Sequence, residues 1–140
     1  MGGETSNTIG GNKVGDRISI QFKNGEDKSA VLFSHWDGLS LIAGAEDYVR
    51  TLVMDNIVRS KGKENPLGIY PLDRLEPATV MVSFISEIIG SGNRITGNYY
   101  LPRNIEEGDN SDNGHFIIDI DKIEKSLWDA YRIGIEKNKG

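Results

Sequence analysis

The stretch DRISIQFKNGEDKSAVLF, residues 16–33, decides the fold. Ile18, Ile20 and Phe22 alternate with Arg17, Ser19 and Gln21, the period of a strand with one buried face. Asn24-Gly25 follows, and this pair is the strongest short hairpin signal because both residues accept positive φ. The apolar run Ala30 to Phe33 supplies the returning strand. The fold therefore opens with a β-hairpin.

Past the corner His35-Trp36-Asp37-Gly38 the period changes. Leu41, Ala45, Tyr48, Leu52, Val53 and Ile57 recur at helical spacing, which predicts a helix from Ser40 to about Ser60. Glu46 with Arg50, and Asp55 with Arg59, have the favourable spacing and order for pairing along it. Lys61 to Asn65 reads as a polar loop, and the proline-bearing stretch 66–77 as extended or turning chain. Pro77 suits the first turn of a second helix, whose apolar stripe Met81, Phe84, Ile85, Ile88 and Ile89 runs up to Gly90. Ser91 to Asn93 reads as a turn, and Ile95 to Leu101 and His115 to Ile120 as strands. From Asp121 as N-cap, the spacing of Ile123, Leu127, Tyr131 and Ile135 predicts a last helix.

The predicted order is ββααββα, two hairpins with helices between and after them. This is an α+β domain: a mainly antiparallel four-stranded sheet with about three helices on one face. Residues 1–14, rich in Gly, Thr and Asn, predict a flexible tail, and residues 15–140 one domain.

Composition narrows the chemistry. A formal net charge of −5 disfavours nucleic acid and anionic membranes as partners. The chain has no cysteine, so thiolate chemistry is absent and a reducing cytoplasm is the expected location. No stretch reads as a membrane span, and no membrane partner is expected. The glycines at 10–15 and 90–92 lack the context of a phosphate or dinucleotide loop.

Two constellations carry candidate chemistry. The first is the corner, where His35 has the makings of a general base or metal ligand, Asp37 of its orienting group and Trp36 of a pocket wall. The same residue types also serve a plain strand-to-helix turn, with Asp37 bonding backbone and Gly38 at positive φ. The second is the acidic loop 106–115. Asp109, Ser111, Asn113 and Gly114 match the first half of a calcium loop, but Ile120 stands where its bidentate Glu belongs. A solvated loop bonding its own backbone reads equally from these residues. A third arrangement joins the two: if the strands carrying His35 and His115 are antiparallel neighbours, His35, Asp37, Asp112 and His115 converge on one divalent metal.

The corner Ser34-His35-Trp36-Asp37-Gly38, the block PLDRLEP at 71–77 with Thr79-Val80-Met81-Val82, and the loop Gly108 to His115 resemble blocks of small archaeal, bacterial and phage proteins of unassigned function. The resemblance covers about half the chain and implies that the folded unit starts near Asp16, with corner and loop both part of it. It carries over no catalytic residue. In that family the corner often reads Tyr-Asp-Gly or Phe-Asp-Gly, without the histidine.

The leading expectation is a non-catalytic cytoplasmic interaction module, with a protein or small-ligand partner, that binds through His35, Trp36 and Asp37 and the acidic loop. It requires Trp36 to be partly exposed beside that loop. The alternatives are a metal-dependent hydrolase on His35, Asp37, Asp112 and His115, and structural calcium binding at 109–114. A homodimer through exposed strand edges is also open.

Overall fold

β1, Ile18–Asn24, is paired along both of its edges and organises the sheet. The structure is a computed structural model and describes residues 15–62, 74–90 and 97–139. The expected tail at 1–14, most of the proline-bearing stretch and the turn at 91–93 lie outside the described residues. On one edge β1 pairs antiparallel with β2, Asp27–Lys28, and with β3, Leu32–Ser34. On the opposite edge it pairs in parallel with β5, His115–Asp119, Ser19 facing His115 and Lys23 facing Asp119. β4, Tyr99–Tyr100, adds antiparallel to β3. The helices are α1, Ser40–Gly62, α2, Pro77–Gly90, and α3, Ile120–Lys139.

With β2 and β3 as one returning strand in two pieces, the order ββααββα and the α+β class stand, the sheet antiparallel except between β1 and β5. The second expected hairpin does not form: β4 and β5 sit on opposite sides of the sheet, joined by loop 101–114. Turn residues at 108–114 mark a break in the chain but do not say which strand the next one joins, and the parallel partner lies far away in sequence.

The opening hairpin turns at Gly25-Glu26, with Gly25 at φ 64° and Asn24 paired to Asp27 inside the ladder. Asn24 is buried, and its amide donates to the Leu75 carbonyl at 3.0 Å. Between β2 and β3 the register shifts by one residue, from Lys23↔Lys28 to Ile20↔Leu32, so the returning strand carries a bulge. Ser29 stabilises it: its Oγ accepts from the Phe22 amide and donates to the Ala30 carbonyl.

Alternation along β1 sends Ile18, Ile20 and Phe22 to one face, where they pack with Leu32, Ile118, the α1 row Leu41, Ala45, Val49, Val53 and Ile57, and Val80, Met81 and Phe84 of α2. Phe22 meets Phe84 edge to face at 5.7 Å. Each large side chain so buried contributes about 1.5–3 kcal/mol, and this core fixes the sheet under its helices. Arg50 pairs with Asp47 rather than Glu46, a surface pair of small worth. α3 is capped by Asp119, which accepts from the Lys122 amide, rather than by Asp121.

The other face presents Ser19, Gln21, Phe33, His35, Tyr100, His115 and Ile117, as the registers require. Loop 101–114 crosses its upper half. Gly108 lies so close over Phe33 that a Cβ there would fall within the ring. Gly108→Ala should therefore lower stability by about 1–3 kcal/mol in urea unfolding, because the loop must lift off the sheet. Gly44→Ala, in open space on α1, should raise it by about 0.5–1 kcal/mol.

Candidate functional site

The corner is held from inside by Asn98. This side chain, 2% exposed, precedes β4, and its Oδ1 accepts from Ser34 Oγ at 3.0 Å and from the Trp36 amide at 3.0 Å. The His35 amide is shared between Asn98 Oδ1 and the Asn98 backbone carbonyl, at 3.1 and 2.9 Å. Asn98 Nδ2 donates to Asp37 Oδ1 at 3.1 Å, and the Tyr99 hydroxyl donates to Asp37 Oδ2 at 2.5 Å. Ser34 Oγ accepts from the Asp37 amide, and the Asp37 carbonyl accepts from Ser40 Oγ as α1 begins. Gly38, at φ 61°, donates its amide to the Asp16 carbonyl, and a Cβ on it would collide with the Asp16 carboxylate. Asp37 thus acts as a structural acceptor with both oxygens engaged.

From this frame an aromatic row runs outward. Tyr100 stacks between Phe33 at 5.3 Å and His35 at 4.9 Å, and His35 leans on Trp36 at 5.7 Å. Phe33 is buried, whereas Trp36 is 50% exposed and Leu39, three residues on, 58%. The row ends in a large apolar side chain standing in solvent on a backbone whose amides from His35 to Gly38 are all bonded.

The acidic loop adjoins the row: the Asp109 amide donates to the Tyr100 hydroxyl at 2.9 Å. Asp109 Oδ1 accepts from the Ser111 amide, and hydrogen bonds from Ser111, with Arg17 adding its charge, hold the Asp109 carboxyl below the usual carboxylate range. Arg17 Nε lies 3.4 Å from Asp109 and Nη1 3.7 Å from Asp112, so the loop folds around the chain's own guanidinium, which occupies Asp109, the first residue of the alternative calcium-loop reading. Asn113 Nδ2 points away, to Asp16 and to the Arg17 carbonyl. Glu106 and Glu107 are exposed at the loop's outer side.

The expected convergence on one metal does not occur. β1 runs between the strands of His35 and His115, so these strands are not neighbours, and the His35 ring is stacked on Tyr100. Among the described residues no three of His, Asp and Glu are grouped to hold an ion. His115 is engaged elsewhere: Nδ1 lies 2.7 Å from Ser19 Oγ and Nε2 3.2 Å from Gln21 Oε1. A directional chain follows from the donors available, with the imidazole proton assigned to Nε2. Asn110 donates to Ser19, Ser19 to His115, His115 to Gln21, and Gln21 to the Ser29 carbonyl. Ser19, His115 and Gln21 have the order of nucleophile, base and orienting group, but Ser19 is fully buried and its Oγ already accepts from Asn110.

Sequence reading missed Asn98, Tyr99, Ser19 and Gln21. The last two were visible only as the polar half of an alternating strand, and Asn98 had no local signal because its partners lie over sixty residues earlier.

Asn98→Ala should cost about 2–4 kcal/mol in denaturant unfolding, since it leaves buried donors of the corner unpaired. A second expectation concerns pH. Burial, reinforced by the Lys28 charge, holds the His115 imidazole below its usual value of 6.5. The unfolded chain therefore binds the proton first, so this contribution is complete above about pH 6.5 and is lost as pH falls through the lower folded value. Relative to His115→Gln, the native chain should lose more melting temperature between pH 7.5 and pH 5.

Comparison of the chain with protein-family models, with curated proteins and with solved structures finds no match.

Proposed function

We propose that this domain is a non-catalytic binding module whose contact surface is the Trp36 corner, and that it takes a basic segment of a protein partner. The observation that carries the reading is the half-exposed Trp36 on a backbone tied to Asn98. A rigid aromatic loses little entropy on binding, which is why tryptophan anchors so many interfaces. Leu39 extends its apolar reach. Asp109 sets a carboxylate beside the row and is held charged, and Glu106 adds an exposed carboxylate in the same loop, where Glu107 pairs with Arg103. A lysine or arginine of a partner then meets both the indole face and an acidic rim.

The net charge of −5 argues against nucleic acid as that partner. Among the described residues no helix is long and apolar enough to cross a membrane. The cytoplasm is the compartment this reading assigns, in keeping with a cysteine-free chain.

The chain has two tryptophans, so Trp128→Phe leaves Trp36 as the only indole reporter. Titrated with short peptides, it should show a saturable emission change with Lys/Arg-rich sequences and none with Glu-rich ones. Trp36→Ala should weaken that binding at least about tenfold, read by peptide anisotropy, with little change in melting temperature. A flat response to every basic peptide would remove the proposal, and a drop of many degrees in Trp36→Ala would make the indole a structural plug.

A further inference from the structure

The outer edge of β5 is built differently from the sheet's other free edges. β2 has two residues, both exposed and charged, and β4 has two residues with Pro102 close behind. Short strands, charge and proline are the ordinary devices that keep edges from pairing. β5 has five residues, His115-Phe116-Ile117-Ile118-Asp119, with no proline and no lysine, and among the described residues no strand pairs with its outer side.

Its hydrogen-bonding phase is fixed by β1. The Ser19 amide donates to the Gly114 carbonyl at 3.1 Å, and the parallel register Ser19↔His115 then turns the backbone groups of Phe116 and Ile118 inward. His115 and Ile117 direct theirs outward, as does the Asp119 amide.

That edge is complementary to itself. Turned antiparallel about Ile117, the strand sets His115 opposite Asp119 of a second copy, Phe116 opposite Ile118, and Ile117 opposite Ile117. A neutral imidazole meets a carboxylate at both ends and apolar meets apolar at the centre, where Ile117 is 45% exposed. The outward backbone groups fall in the phase of a hydrogen-bonded antiparallel pair, Ile117 with Ile117 and each Asp119 amide with a His115 carbonyl. We infer that a second copy of this chain docks along the outer edge of β5, antiparallel and centred on Ile117, joining two sheets into one. The inference is independent of the reading of Trp36, which lies at the far side of β1.

Sedimentation equilibrium from about 1 to about 200 µM tests it. The native chain should show a reversible monomer–dimer equilibrium. Ile117→Lys, which sets two ammonium groups face to face, should weaken it at least about tenfold, and Val58→Lys on the exposed face of α1 should leave it unchanged. Because the chain has no cysteine, Ile117→Cys reads the register directly. It should oxidise to a disulfide-linked dimer much faster than Val58→Cys, since opposed residues fall within disulfide reach. A chain monomeric across the range, or a dimer that tolerates Ile117→Lys and cross-links no faster through Ile117→Cys, overturns the inference. The melting temperature of each variant separates loss of pairing from loss of fold.

Discussion

The buried amide of Asn98 is the interaction on which the upper end of the molecule depends. An unpaired buried amide costs about 1–3 kcal/mol per lost partner, and here each of its polar atoms has a partner in the corner. That amide joins the end of β3, the first residues of β4 and the turn into α1, so strand, strand and helix meet at one fixed angle. Asp37 is spent on this frame, both of its carboxylate oxygens accepting from Asn98 and Tyr99. Trp36 is exposed on a backbone whose amides from His35 to Gly38 are each bonded.

A second polar system ties the face away from the helices. The chain from Asn110 through Ser19, His115 and Gln21 to Ser29 spans β5, β1 and the bulge that follows β2. Partly sheltered hydrogen bonds of this kind fix register more than they add net stability. The acidic loop is tied to the same face by Gly108 over Phe33, Asp109 on Tyr100 and Arg17 between two aspartates. With Arg17 beside the inner carboxylates and Arg103 paired with Glu107, the outward field comes from Glu106 and the exposed part of Asp109.

What the sequence made legible follows one physical line. Periodic burial announced β1, the returning strand, α1 and α2, and Pro77 and Gly90 bounded α2 as their backbone preferences require. The extent of β5 was equally plain from Phe116 and Ile118. Its partner was not, because alternation reports which face is buried and says nothing about which edge is occupied. The same gap hid the one-residue bulge at Ser29 and misplaced the histidines, whose convergence presumed neighbouring strands. At the site, Trp36 and the acidic loop stood out by residue type, whereas Asn98 became visible only with its distant partners in place.

An exposed tryptophan on a rigid corner has a direct signature in backbone ¹⁵N relaxation at His35, Trp36, Asp37 and Gly38. Order parameters near 0.85, equal to those of the sheet, are expected. Values below about 0.6, with β1 still rigid, would contradict it, since the indole would then ride on a mobile turn.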